Sequence, residues 1–406
     1  MSFITPLKAT LAEPNYRRYT LGNSVSLVGT WIQRVAVGWL AWELTHSATW
    51  LGIVAFADLC PAVLLGPLGG AIADRIAPLS IVRWTQIAMF IVTIVLSALT
   101  VADYINIELL TALVFLQGIA MGFGQPARLA LVYRLVSREH LPTAVALNAV
   151  VFNTARFVGP MFAGAALVAS GPDLAFTINA VSFIAFIIVL YRLQLDDGAD
   201  NNKRQKPTAS LLEDIRLGAS YAFSHQRIGP LLLLAILMAV AVRPYAELLP
   251  GFADRVFAGG AVELAMMSSA IGLGAIIAGL LLAATAGTEP RASRVFLAAG
   301  AAAISVFLFA LSEAMVIALL CLAVSGAAMA VLGVTVQTAL QLHVGTDYRA
   351  RVMSLYGLIF RSGPALGALV MGVAADWIGM QAPLAIGTSI AALGGAWYWR
   401  RLSQRN

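Results

Sequence analysis

The stretch ATWLGIVAFADLCPAVLLGPLGGAIA, residues 48–73, holds one charged side chain, Asp58, and stops at Asp74-Arg75. It is longer than the roughly 20 apolar residues a helix needs to cross the hydrocarbon of a bilayer. Eleven more stretches of this kind occur. Together the spans lie at about 20–42, 48–73, 80–102, 109–134, 142–170, 174–193, 229–252, 264–286, 293–312, 314–342, 350–375 and 378–399. The 406 residues are 60% hydrophobic and 11% charged, with mean hydropathy +0.85. Such a composition fits an all-α polytopic membrane protein and leaves no room for a soluble catalytic domain.

The charges between spans alternate in sign. One set of loops holds Lys8, Arg17, Arg18, Arg75, Arg83, Arg134, Arg138, Arg192, Lys203, Arg204, Lys206, Arg216, Arg227, Arg291, Arg294, Arg349, Arg351, Arg400, Arg401 and Arg405, 20 of the 26 bases. The opposite set holds Arg255 against Glu43, Asp103, Glu108, Asp173, Asp254, Glu263, Glu313 and Asp376. Because basic loops stay on the cytoplasmic side, both termini are expected there, in a plasma (inner) membrane. The same bias accounts for the net charge of +6 without nucleic acid as a partner. Cys60 and Cys321 sit inside apolar runs, so neither a disulfide framework nor a metal cluster is indicated. Residues 1–18 lack the apolar core of a signal peptide and read as a short cytoplasmic lead-in.

One long hydrophilic segment divides six spans from six. The expected organisation is a bundle over 1–193, a cytoplasmic linker over 194–227 and a second bundle over 228–406. The linker opens on Asp196-Asp197-Gly198, a flexible composition, while 210–223 carries Leu211, Leu212, Ile215 and Tyr221 at helical spacing, as a surface helix would. The halves also echo each other. Arg156 and Gly159-Pro160…Gly164 follow one basic turn, and Arg361 and Gly363-Pro364…Gly367 follow another. Internal repetition of this kind belongs to transporters whose half-bundles rock about a central site.

Two sets of motifs carry a resemblance. Gly66-Pro67-Leu68-Gly69-Gly70-Ala71-Ile72-Ala73-Asp74-Arg75 resembles the Gly-x-x-x-Asp-Arg signature of the major facilitator superfamily, although Ala77-Pro78 replaces its basic continuation. Gly29-Thr30-Trp31-Ile32-Gln33-Arg34, Glu43-Leu44-Thr45-His46-Ser47, Pro126-Ala127-Arg128, Ala146-Leu147-Asn148, Arg156-Phe157-Val158-Gly159-Pro160 and Arg349-Ala350-Arg351-Val352-Met353-Ser354 are similar to the branch of enterobactin exporters and macrolide efflux pumps. The resemblance implies twelve transmembrane helices in two pseudo-symmetric six-helix bundles. It also implies that Asp74, with Gly70 and Arg75, latches onto the start of the eleventh helix near Arg351. Gly159, Pro160 and Gly164 resemble an antiporter motif, and Arg128 falls in the gating set. The superfamily's Arg motif in the fourth span is absent, since residues 113–118 hold no base.

Ionisable groups at the bilayer centre cost several kcal/mol or more unless they meet a partner or water. The deeper set here is Arg34, Asp58, Arg128, Arg156, Arg243, Glu247 and Arg361, five bases against two acids. Arg34 and Asp58 each lie roughly 13–15 Å below the outer surface by helical rise, so they are expected to pair. Arg243 and Glu247 are four apart, which places them on one helical face around Pro244. Asp58 and Glu247 are the mid-membrane groups able to carry a coupling proton. Trp31, Trp39, Trp42, Tyr245 and Phe360 form either aromatic walls or a lipid-facing belt. The substrate and coupling set is therefore Arg34, Asp58, Arg156, Arg243, Glu247 and Arg361.

The reading is a monomeric secondary transporter, not an enzyme and without a cofactor. It would export a small amphipathic, anionic or neutral molecule of drug-like or siderophore-like kind by alternating access, as a proton antiporter in the lipid bilayer. No Gly-x-x-x-x-Gly-Lys-Ser/Thr motif occurs, which argues against ATP drive within the chain. The alternatives are a lysophospholipid or nutrient importer of the same fold, and an uncoupled scramblase or channel.

Overall fold

A computed structural model describes residues 4–73, 75–194, 211–284, 292–345 and 348–403. Fifteen helices and no strand are found among the described residues. They are α1 (Ile4–Ala12), α2 (Pro14–Thr45), α3 (Ala48–Ala73), α4 (Pro78–Val101), α5 (Ile107–Leu135), α6 (Leu141–Ala169), α7 (Pro172–Tyr191), α8 (Leu211–Ser224), α9 (Ile228–Ala241), α10 (Tyr245–Arg255), α11 (Ala261–Ala284), α12 (Ala292–Leu311), α13 (Met315–His343), α14 (Arg349–Ile378) and α15 (Gln381–Ser403).

Ten spans are long and apolar enough to cross a membrane, with α9 and α10 counted together as Ile228–Arg255. The other two membrane-length helices are diluted by polar residues. The 32-residue α2 carries Asn23, Gln33 and Arg34, and the 23-residue α15 carries Thr388, Ser389 and paired glycines. Buried neutral partners, described below, are what allow α2 its polar content.

Helix ends follow the chemistry of unsatisfied backbone groups. Asn106 caps α5 by accepting from the Leu109 N–H at 2.8 Å, with Glu108 in the first turn and Arg134 in the last, each complementing the helix dipole. Pro78 and Pro172 begin α4 and α7, where a missing N–H costs nothing. α14 stops at Gly379, whose φ of 84° suits glycine.

The chain forms two compact units. One comprises residues 1–44 and 57–206, the other 45–56 and 207–406. Their internal packing repeats. In the first, α4 packs on α5 and α7; in the second, α12 packs on α13 and α15. α3 meets α5 at Gly118, where an added Cβ would stand 2.5 Å from the Asp58 carbonyl oxygen. α11 meets α13 at Gly326, where an added Cβ would overlap the Ile271 carbonyl oxygen. α6 crosses α2 with Gly159 against Trp31 Cβ, and α14 crosses α9 with Gly363 against Ala239 Cβ. Glycine at each crossing lets helix backbones touch, as membrane packing requires.

Two details depart from expectation, the form of the lead-in and the shared face of Arg243 and Glu247, while the loosening at Pro244 is as expected. The lead-in is itself helical, as α1. The seventh span breaks at 242–244, where Pro244 has no N–H to give and the chain turns by three-residue bonds, Ala246 N–H to Arg243 O at 3.3 Å and Glu247 N–H to Pro244 O at 3.0 Å. Arg243 therefore precedes α10 while Glu247 lies in its first turn, and they do not share one unbroken helical face. Pro250, by contrast, sits inside α10. The surface-helix segment is α8, and the linker residues 195–210 before it lie outside the described residues.

Candidate transport site

In the first unit, Arg34 of α2 donates to Asp58 of α3, Nη1 to Oδ2 at 3.1 Å, with side chains 33% and 20% exposed. The pair is assembled from below by a ring of neutral polar groups. Gln33 donates to Gln117 of α5 at 2.9 Å, Gln117 to Thr93 of α4 at 3.0 Å, and Thr93 back to Gln33 at 3.0 Å. Asn179 of α7 adds a fourth helix, donating to Gln33 Oε1 at 2.6 Å, and Ser182 donates to Asn179 Oδ1 at 3.0 Å. Gln33 immediately precedes Arg34, and Gln117 immediately precedes the Gly118 that touches Asp58. The ring thus fixes the register of both walls of the ion pair. Hydrogen bonds of this kind hold membrane helices together where apolar burial cannot.

Trp31 lies one turn before Arg34. The Arg34 guanidinium stands 5.7 Å from its ring centre and the Arg156 guanidinium of α6 stands 5.8 Å away. Phe152 meets Trp31 edge-on at 5.8 Å. Arg128 is held differently: it donates to Gln86 Oε1 at 2.6 Å and lies 5.6 Å from the Phe186 ring, while Gln86 also donates to Ser26 at 3.4 Å. Gln86 and Phe186 are fully buried, so Arg128 is built into the packing of this unit.

In the second unit, Arg243 donates to the Phe360 carbonyl of α14 at 2.8 Å and stacks 4.0 Å from the Phe360 ring. With Tyr356, Met329 and Gly333 these residues line a small pocket. Tyr245 is buried and accepts from Ser325 at 2.5 Å. Glu247 is half-buried, and Arg361 is exposed on α14.

The gating residues divide. Asp74 lies outside the described residues, and Arg75 beside it is exposed. An added Cβ on Gly70 would meet nothing within 4 Å, whereas on Gly69 it would stand 2.6 Å from the Gly122 carbonyl oxygen. Pro160 and Gly164 are buried in α6 next to Gly159. Arg351 packs beneath α8, where a Cβ on Gly218 would lie 3.0 Å from its own, and its guanidinium is 5.7 Å from the Tyr348 ring. Tyr348 in turn stacks on Tyr221 of α8 at 4.1 Å and 1°.

Two clusters escape a reading by charge and motif. The ring around Gln33 is neutral, though three amides within apolar spans, Gln33, Gln117 and Asn179, are themselves a signal. The second centres on Asp376 at the end of α14. It accepts from the Ser47 hydroxyl at 2.6 Å and from the N–H groups of Ala48 at 2.9 Å and Thr49 at 3.0 Å. Arg255 lies 3.6 Å from Oδ1 of this carboxylate, the oxygen that accepts from Ala48, and also donates to the His46 carbonyl; His46 in turn faces Asp254 at 3.5 Å.

A family model described as transmembrane secretion effector matches residues 4–404. The staphyloferrin A transporter of Staphylococcus aureus is 26% identical over 373 residues, covering 89% of this chain and 90% of that protein. The enterobactin exporter EntS of Shigella boydii is 27% identical over 378 residues, covering 91% and 88%. Among solved structures, a bacterial homologue of the human lysosomal transporter Spinster, inward-facing and unoccupied, superposes with a TM-score of 0.74 at 15% identity, covering 95% of this chain and 96% of that one.

Proposed function

The chain belongs to the transmembrane secretion effector family and is a membrane transporter of the major facilitator type; from that premise we propose that it exports a small organic anion or neutral amphipathic molecule from the cytoplasm by alternating access, in exchange for protons. It does so as a monomer in the plasma (inner) membrane, with both termini cytoplasmic. The deep residues Arg34, Asp58, Arg156, Arg243, Glu247 and Arg361 serve substrate binding and coupling.

The observation that carries this reading is the Arg34–Asp58 pair, a partly exposed carboxylate and guanidinium joining two spans. While Asp58 is ionised, it neutralises Arg34. Protonation of Asp58 breaks the charge pairing and leaves Arg34 to attract an anion, so proton and substrate occupancy become linked. The relatives named as a staphyloferrin A transporter and an enterobactin exporter support a small siderophore-like cargo, and the exporter among them supports the direction. The excess of bases over acids at mid-span positions, five against two, supports an anion.

Metabolomics of the medium of a deletion strain identifies the solute. Inside-out vesicles holding the protein then test the coupling: an acid lumen should drive accumulation of that solute. Replacing Asp58 by Asn together with Glu247 by Gln should leave exchange between equal pools but abolish accumulation. Accumulation that survives both changes removes Asp58 and Glu247 as the coupling site, and an acid lumen that drives no accumulation in the unaltered protein removes proton coupling.

A further inference from the structure

α8 packs through one face, against α14 and α9 of its own unit. An added Cβ on Gly218 would stand 3.0 Å from Arg351 Cβ. Ala222 is wholly buried, and a Cβ on Gly229 would stand 3.0 Å from its carbonyl oxygen. Tyr221 stacks on Tyr348 at 4.1 Å and accepts from the Gly345 N–H at 3.4 Å.

The outward face has a different composition. Arg216, Leu217, Ser220, Phe223 and Ser224 are exposed, and helical winding gathers them into an arc of about 120°. Leu217 is 41% exposed and Phe223 47%. Arg227, also exposed, stands at the join of α8 and α9. From Arg216 to Arg227 the sequence holds two arginines and no acid, while Glu213 and Asp214 stand in the first turn of α8.

Position says what covers this face. α9 opens the membrane-spanning segment Ile228–Arg255, and residues 225–227 alone separate it from Ser224. The end of α8 therefore lies within about 14 Å of the start of the span. A helix held at that level meets phospholipid headgroups, where bases pair with phosphate and leucine or phenylalanine enters the acyl boundary.

We propose that the outward face of α8, with Arg227, is a docking surface for anionic phospholipid. Arg216 and Arg227 take the headgroup phosphates, and Leu217 and Phe223 enter the leaflet beside them. Bound lipid then steadies the start of α14 through the Tyr221–Tyr348 stack. The surface is independent of cargo and of coupling.

The test adds phosphatidylglycerol or phosphatidylcholine of the same chains to the purified full-length protein in neutral detergent and reads the rise in melting temperature. Phosphatidylglycerol should bind more tightly, and Arg216→Gln and Arg227→Gln should each weaken it by about five-fold. Lysine at both positions should keep the preference, because the headgroup attracts the charge. Leu217→Ser with Phe223→Ser should weaken both lipids alike. In nanodiscs, hydrogen exchange across residues 216–224 should slow when phosphatidylglycerol replaces phosphatidylcholine, and should not slow in the double glutamine variant. Equal binding of the two lipids to the unaltered protein overturns the proposal. So does a preference that survives Arg216→Gln with Arg227→Gln, or one lost as fully in Arg138→Gln with Arg192→Gln, which removes two exposed bases elsewhere. Soluble glycerol phosphate competing as well as the lipid would make this a free-phosphate site. A dimer that Leu217→Ser with Phe223→Ser dissociates would make it an interface between copies. Either result overturns the lipid assignment, and none of these outcomes bears on cargo or proton coupling.

Discussion

Asp376 accepts a hydrogen bond from Ser47 at 2.6 Å across 329 residues of sequence. The carboxylate supplies the capping that the start of α3 needs, since it also receives the first two N–H groups of that helix. Ser47 meanwhile accepts from the Trp50 N–H at 3.4 Å. A carboxylate is the preferred partner of a helix N-terminus because it meets both the free donors and the positive end of the dipole. Asp376→Asn keeps the size but loses the charge and half of the acceptors, and should cost about 1 kcal/mol; Asp376→Ala should cost about 2 kcal/mol. Melting of the purified protein checks the order. Equal melting temperatures for all three forms would show that water caps α3 as well as Asp376 does.

The limits of the sequence reading follow from this contact. Apolar run length marks the spans, and the tallied loop charges set the expected sidedness. Depth alone brings Arg34 and Asp58 together, because two isolated charges of opposite sign at one level in lipid have few other options. Pro244 similarly marks where the seventh span breaks. Asp376 and Ser47 are different: both stand at span ends, where polar residues are ordinary, so nothing in the chain singles them out. Gln33, Thr93, Gln117 and Asn179 carry no sign to match, and their pairing depends on which helices adjoin. The α1 helix is short and follows no apolar run, so it leaves little trace.

Adjacent glycines on α3 should behave oppositely. A methyl on Gly69 would stand 2.6 Å from the Gly122 carbonyl oxygen and 2.9 Å from Phe123 Cα, both backbone atoms that cannot rotate away. Gly69→Ala should push α3 from α5 and destabilise the protein by about 1–3 kcal/mol. A methyl on Gly70 meets nothing, so Gly70→Ala should leave melting unchanged or slightly improved, helix propensity favouring alanine. Any transport defect in Gly70→Ala is then one of conformational cycling and not of folding. Expression and melting of the two variants side by side decide the matter. Matched behaviour would contradict the close α3–α5 approach.

The ring on Gln33 makes a prediction about non-additivity. Gln33→Leu removes the acceptor of both Thr93 and Asn179 and the donor to Gln117, orphaning groups on three helices at once. Membrane hydrogen bonds average only about 0.6 kcal/mol each, so the change should cost about 2 kcal/mol. Once Gln33 is gone, Gln117→Leu should cost less than it does alone, because its partner is already lost. Simple additivity of the two changes would show that the amides act independently.

The strongest demand falls on Arg34 and Asp58. Arg34→Asp places two carboxylates where one guanidinium and one carboxylate met at 3.1 Å, and Asp58→Arg places two guanidiniums there. Breaking a buried pair costs about 3–5 kcal/mol, and the partial exposure of these side chains should reduce that to about 2 kcal/mol. Each single reversal should therefore leave inserted but poorly transporting protein. Exchanging both restores the attraction but moves the guanidinium from α2, beside Trp31, to α3. If the pair serves only packing, the double exchange recovers melting and transport together. If Arg34 also presents its charge beside Arg156, melting returns and transport of an anionic solute stays low, because the cation no longer stands on α2 beside Trp31. The split between those two readouts, with insertion checked by protease protection, separates a structural bridge from a working one.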